Sequence, residues 1–247
     1  MQRIVSVTMI LLGMFTAAST LAADEVKIKA LLITGDDVPS HNWKEIAAAT
    51  REALESTGRF EVRVSEAPSI LESKPTLDDY GVIVFTLYNR NLPPISAEAQ
   101  KNLLDFVKGG KGFYVQHLAS ASFKDWEEFG KLCGRHWVMG KSGHGPRSVF
   151  RSKVADREHP ITRGIDDFDV DDELYAKLQG DEEIHVLVTA DSDWSGHTEP
   201  LVFTRPYGKG RVVQNAFGHD AKAILNPAVR QLVALGVEWA ATGKVAP

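Results

Sequence analysis

The chain has 247 residues, with 28 Lys+Arg against 33 Asp+Glu, 43% hydrophobic and 25% charged residues and one Cys. These proportions belong to a globular protein and exclude collagen, a coiled coil, a disordered chain and a disulfide scaffold. A net charge of -5 leaves no basic surface for phosphate backbones, so nucleic acid is excluded as a general partner. Cys133 alone can form neither an internal disulfide nor a thiolate cage, and any metal must be held by His and carboxylates.

The chain begins with Arg3, an apolar run from Ile4 to Ala18, and small residues to Ala23. This pattern predicts a signal peptide over residues 1–22 and no membrane span in the mature protein, which is therefore expected to be exported, periplasmic or secreted. A buried N-terminal helix is the alternative. Residues 23–247 are expected to form one domain, because no repeat or low-complexity linker divides them.

Lys27 to Thr34 reads as a first, buried strand that runs into the polar turn GDDVPSHN. Asn42 and Glu45 have capping-box spacing, and Trp43, Ile46, Ala47, Thr50, Leu54 and Thr57 recur at helical period behind them. Phe60 to Ser65 and Gly81 to Leu87 read as strands. Ser96 caps a helix through Val107, Gly109-Gly110 stop it, and Gly112 to Gln116 is the next strand. The second half is strand-rich: Ser148 to Val154, Ile184 to Thr189, Leu201 to Thr204 and Arg211 to Asn215. The last two are joined by the hairpin signal Tyr207-Gly208-Lys209-Gly210, and a helix from Asn226 to Thr242 closes the chain. The alternation predicts an α/β flavodoxin-like three-layer sandwich, with a mainly parallel sheet and an antiparallel C-terminal extension.

In such sheets ligands bind beyond the C-terminal ends of the strands. That rule gathers His41 after the first strand, Tyr88, Asn89 and Arg90 after the third, His117 after the fourth, and His219-Asp220 after the last. A lone His there is more often a surface or turn residue, but four segments together point to a site. His117 occupies the position of a nucleophile elbow without supplying a hydroxyl or thiol. Ser120 fits an N-cap, and Cys133 in FGKLCGRH reads as an inert core residue. The first strand lacks G-x-G-x-x-G and no P-loop is present, so no nucleotide cofactor is expected.

The HNW turn, GGKGFYVQH, DWEEFGKLCG, SGHGPRSVF, DREHPITRGIDDFDVDDELY and EPLVFTRPYGKGRVVQNAFGHD together resemble the trehalose-utilisation (ThuA-like) family, from about Val26 to Thr242. That family is similar in fold to class I glutamine amidotransferases, and His117 stands where their elbow cysteine would be. The resemblance implies the fold without glutamine hydrolysis. It also implies carbohydrate metabolism: a small carbohydrate ligand, such as a 3-keto-glycoside or a related disaccharide derivative.

The family's motif positions fall here on His41, His117, His144, Glu173 and His219. This is a donor set for a divalent metal such as Zn, Mn or Ni, with His41, His117, His144 and His219 as ligands. The chemistry expected is metal-assisted acid–base catalysis by a lyase, isomerase or hydrolase. His117, His219, Glu173 and Asp220 would be catalytic, and His41, Asn89, Arg90, His144 and Arg147 would bind substrate. The alternative is a non-catalytic sugar-binding or accessory protein on a degenerate amidotransferase-like fold.

Several residues keep two readings. The aspartates before Glu173 are either site groups or a solvated loop. Asp220 either orients His219 or caps AKAILN. The glycines around His144 permit positive φ, and Trp126, Trp137 and Trp194 either stack on sugars or pack the core. His136, His185 and His197 lie in no motif and read as structural or surface residues.

Overall fold

The structure, a computed structural model, describes residues 26–246. The segment read as a signal peptide lies outside them. Strand β1 (Ile28–Ile33) ends in Ala30 to Ile33, all fully buried, and leads through the polar turn to α1 (Trp43–Glu55). Asn42 caps α1, its side chain accepting the Glu45 N–H as the capping-box spacing predicts. Next come β2 (Phe60–Ser65), a 3-10 turn at Pro68–Glu72, α2 (Lys74–Asp78), β3 (Val82–Phe85) and α3 (Ala97–Lys108), the last capped by Ser96. Strand β4 (Gly112–Gln116) is buried along its whole length. It passes through a 3-10 turn at His117–Ala121 to α4 (Glu127–Cys133).

The second half contains β5 (Gly143–His144), β6 (Ser148–Val154), β7 (Phe168–Asp172), β8 (Tyr175–Ala176), β9 (His185–Ser192), β10 (His197–Tyr207) and β11 (Gly210–Asn215). Helices α5 (Ala221–Ile224) and α6 (Pro227–Thr242) complete it. One nine-stranded sheet runs β2-β1-β3-β4-β11-β10-β9-β6-β7, while β5 pairs β8 in a separate two-stranded ribbon. Strands β2, β1, β3, β4 and β11 are parallel, and β10, β9, β6 and β7 join antiparallel.

This is the sandwich expected from the sequence. Alternate residues of the central strands feed two cores: Ala30, Leu32 and Tyr114 face α6, and Leu31, Ile33, Phe113 and Val115 face α3 and α4. Cys133 is buried in the second core and burial pushes its thiol well above the ordinary range, so it is a packing residue.

Two elements differ from the sequence reading. Strand β10 runs well beyond Leu201–Thr204 on both sides, because Pro200 breaks the alternation and the strand continues through a register shift at Pro200–Val202. The acidic segment before Glu173 is an edge strand and not a solvated loop. Within β7, Val170 and Asp172 turn inward while Asp169 faces out, so the strand alternates in the ordinary way and buries one of its aspartates.

Candidate metal centre

The parallel register sets the C-terminal ends of β1, β4 and β11 at one rim, with Asn215 opposite Gln116. His41, His117 and His219 project from the segments that follow these strands. Glu173 arrives from the end of β7, across the antiparallel extension. One ligand atom from each of the four side chains lies within 4.8 Å of all the others. The focus is Glu173 Oε2, which is 3.1 Å from His219 Nδ1, 3.5 Å from His117 Nε2 and 3.8 Å from His41 Nε2. His144 Nε2 is 3.6 Å from the same oxygen, on the outer side of the group.

Hydrogen bonds on the far side of the rings fix what each imidazole presents. Where the ladder between β4 and β11 ends, His117 Nδ1–H donates to the Ala216 carbonyl at 2.6 Å. His117 Nε2 therefore carries a lone pair, and this buried atom has no hydrogen-bond partner. His144 Nδ1–H likewise donates to the Gly145 carbonyl at 2.6 Å, which turns the lone pair of Nε2 toward Glu173. His41 Nδ1 is 2.8 Å from Ser40 Oγ, and its Nε2 is 3.2 Å from His219 Nδ1. Outer-shell bonds of this kind are what orient metal-binding histidines. The spacings also suit a common ion, since ligand bonds of about 2.1 Å in a tetrahedron separate the ligand atoms by about 3.4 Å.

The electrostatics agree with that reading. Burial, reinforced by the His117 and His219 imidazoles, holds His41 down to about 3, so it is a neutral donor at neutral pH. Burial alone would raise the Glu173 carboxyl, but the approach of His117 and His219 outweighs it and keeps the group well below the ordinary carboxylate range. The hydrogen bond to Glu173 raises His219. An ionised carboxylate beside the neutral His41 and the unpartnered His117 Nε2 is a donor set that a cation satisfies.

The supporting shell was less legible. Asp172 is completely buried and accepts the backbone N–H groups of Gly218 at 2.7 Å, His219 at 3.1 Å and Glu173 at 2.8 Å. It thereby ties the β11 loop to the end of β7. Asp220 takes its capping role: one oxygen accepts the Ala223 N–H at the start of α5 and the other pairs with Arg147. Arg147 also donates to Asp171 at 3.0 Å, so it braces the loop between two aspartates and its charge is already paired. Tyr175 stacks on His117, with ring centroids 3.9 Å apart.

The remaining expected residues lie further out. Asn89 Oδ1 accepts the Phe123 N–H at 2.7 Å, and Arg90 is exposed at the loop surface. The glycines beside His144 do not serve positive φ, since neither Gly143 nor Gly145 adopts one. A Cβ on Gly143 would fall 2.4 Å from the Trp194 ring, so the glycine makes room for the indole. Backbone strain gathers at the rim instead: three of the four non-glycine residues with positive φ among those described, Asp36, His117 and Phe123, lie around the site. His117 keeps the bent elbow backbone, at φ 47°, and presents an imidazole from it.

Solved structures share this fold. A protein described as ThuA-like from Parabacteroides merdae ATCC 43184 is 29% identical, with a TM-score of 0.79 over 90% of this chain and 92% of that one. Another from Bacteroides uniformis ATCC 8492 is 17% identical, with a TM-score of 0.70 over 92% and 98%. A Salmonella typhimurium protein is similar in fold alone, at 16% identity and a TM-score of 0.61 over 87% and 99%. No curated protein matches the sequence.

The Salmonella protein and a second one of the same fold are described as cytoplasmic, which conflicts with the export expected from residues 1–22. That expectation rested on Arg3, the apolar run and the small residues that follow it, all of which lie outside the described residues. The ThuA family profile, described as trehalose utilisation, matches residues 29–240, and the chain belongs to that family.

Proposed function

We propose that His41, His117, Glu173 and His219 hold a divalent metal (zinc, manganese or nickel) and that the protein performs metal-assisted acid–base chemistry on a small carbohydrate. The observation that carries this reading is the convergence on Glu173 Oε2 of three histidines from remote segments, with the His117 tautomer fixed and its Nε2 otherwise unpartnered. Three imidazoles and a carboxylate suit a borderline divalent ion. The carbohydrate class is supported by the family's description as trehalose utilisation, and a 3-keto-glycoside is the substrate we favour.

When bound, such a cation supplies positive charge that acidifies a water molecule or the C–H beside a sugar carbonyl. His117 and His219 hold their donor atoms toward the centre, and Glu173 offsets part of the charge. His144 stands outside the four-residue set with its Nε2 lone pair turned toward Glu173, and it is the group we assign to take a substrate proton at that atom. Arg147, Asp171, Asp172 and Asp220 keep the loops in place.

Calorimetric titration of chelator-stripped protein with zinc, manganese and nickel tests the reading. One equivalent is expected to bind to the wild type and none to a His117→Ala, His219→Ala variant. Failure of all three ions to bind the wild type, or unchanged binding by the variant, would overturn it.

A further inference from the structure

The aromatic cluster of the second core comes to the surface between the end of β3 and the start of α4. Phe85, Phe113 and Phe129 are enclosed there and Phe123 nearly so, whereas Tyr88, Trp126 and Trp137 are half-buried and Met139 is 63% exposed. The last four, with Phe123 and Phe129 behind them, line a pocket of about 730 Å³, within the range of small-molecule sites at about 300 to 1,000 Å³. The centre of a water molecule can range over about 240 Å³ there, against about 20 Å³ in the cavity beside His41 and His117, which has room for about one water. The two spaces share the Tyr88 wall alone.

The aromatic pocket offers a ligand no free charge. Lys124 pairs with Asp125 at 2.9 Å and Glu127 with Lys131 at 2.9 Å, while burial lowers His136 and keeps its imidazole neutral. The Ser122 hydroxyl already donates to the Leu87 carbonyl at 2.6 Å. What remains is apolar surface in contact with water, half-exposed rings and a methionine gathered at one mouth, which is the mark of a ligand site.

We propose that this pocket binds a small neutral ligand with a flat aromatic face, of one or two fused rings. The inference goes beyond the carbohydrate reading and does not depend on the metal. Aromatic rings attract one another in offset or edge-on contact, with centroids about 4.5 to 7 Å apart. The pocket's own rings are already so arranged: Trp126 stacks on Phe129 at 5.7 Å and Phe123 meets Phe129 edge-on at 5.0 Å. A ligand ring continues that series on the exposed side of Trp126. An ionised ligand would bring its charge against these walls without a partner. Met139, flexible and polarizable, adapts the mouth to rings of different outline.

The pocket is built before any ligand arrives. Phe123 sits at φ 50°, a conformation costly for an aromatic residue, and Asn89 Oδ1 holds it there by accepting its N–H. Asn89, expected from the sequence to bind substrate, is therefore a positioning residue that acts through Phe123. Gly130 leaves room for the His136 ring, since a Cβ there would fall 2.8 Å from His136 Nδ1.

Calorimetry on the metal-stripped full chain with naphthol, naphthalenesulfonate and glucose tests the assignment. Naphthol is expected to bind at one saturable site, roughly tenfold or more tighter than the charged sulfonate or the saccharide. Trp126→Ala should weaken it roughly tenfold, the scale of one aromatic contact, and Trp126→Phe should keep most of the affinity. Met139→Asp puts a charge at the mouth on an exposed position, so it should weaken naphthol roughly fivefold and leave the urea midpoint at the wild-type value. No naphthol binding, an equal affinity for naphthalenesulfonate or glucose, or wild-type affinity in both Trp126→Ala and Met139→Asp would overturn the assignment. Because the protein is stripped, failure of the zinc, manganese and nickel titrations sinks the metal reading and leaves this one standing.

Discussion

The two ends of the parallel sheet are built in opposite ways. At the end where the strands begin, Arg211 at the start of β11 donates to the carbonyls of Trp239, Ala240 and Ala241 at the close of α6, and to Gly110. Its guanidinium thereby satisfies carbonyls that a helix end leaves without partners. At the end where the strands finish, His117 Nε2 and both amide atoms of the buried Gln116 have no partner, and the backbone is strained at Asp36, His117 and Phe123. The paired carbonyls at the first end serve stability, whereas the unpaired polar groups and strained backbone of the second mark it as the end where a ligand would bind.

Asp172 is where the two styles meet, and breaking it should have the largest effect. Asp172→Ala would strand three backbone N–H groups in the interior, which is expected to cost about 3 kcal/mol in urea unfolding and to weaken metal binding at least tenfold. A smaller, one-sided loss is expected from Arg211→Met. It should destabilise the fold by about 2 kcal/mol and leave the metal affinity unchanged, because it touches only the satisfied end.

The converse comes from His117→Asn. Asparagine tolerates left-handed backbone better than most residues, so stability should stay within about 1 kcal/mol of wild type or rise above it, while metal binding is lost. Together these two variants dissociate stability from binding. A metal affinity that fell with Arg211→Met, or survived His117→Asn, would dissolve the contrast between the two ends.

The smallest effect concerns pH. Burial would raise the Asp36 carboxyl, but hydrogen bonds from Asn91, Leu92 and Arg90 together hold it below its ordinary value. A group whose pKa is depressed in the folded state stabilises above its unfolded value, near about 3.9, and that contribution is lost as pH falls through the folded value. Urea midpoints at pH 5 and pH 3 should therefore drop less in Asp36→Asn than in the wild type. An equal drop would remove Asp36 from the loop's pH response.

What the sequence disclosed follows from how local each signal is. The Asn42 and Ser96 caps, the buried run of β4, the Tyr207-to-Gly210 hairpin and the Asn226 cap of α6 depend on neighbours within a few residues, and all of them stand in the structure. The topological rule for parallel sheets also placed His41, His117 and His219 on one rim, because it needs only the strand that each one follows.

Glu173 and His144 escaped that rule. They lie on the antiparallel extension, where no such rule says which end faces the site, and family motifs alone pointed to them. The role of Asp172 was invisible, since its partners Gly218 and His219 lie 46 and 47 residues away. His136 was equally unmarked, and Trp137 kept two readings until its ring was found packed on Tyr175, because a connecting loop has no period to read. Trp194 over Gly143 was hidden for the same reason: a close approach between remote segments leaves only a glycine in the sequence, and a glycine has several causes.

X-ray absorption at the metal edge of protein loaded with one equivalent of zinc examines the centre most directly. Three imidazole nitrogens and one carboxylate oxygen at about 2.0 to 2.2 Å are the expected shell. His117→Asn and His219→Ala should each remove one imidazole from it. A shell of oxygens alone, or one that keeps three imidazoles in both variants, would contradict the assignment of His41, His117, Glu173 and His219 as the ligands.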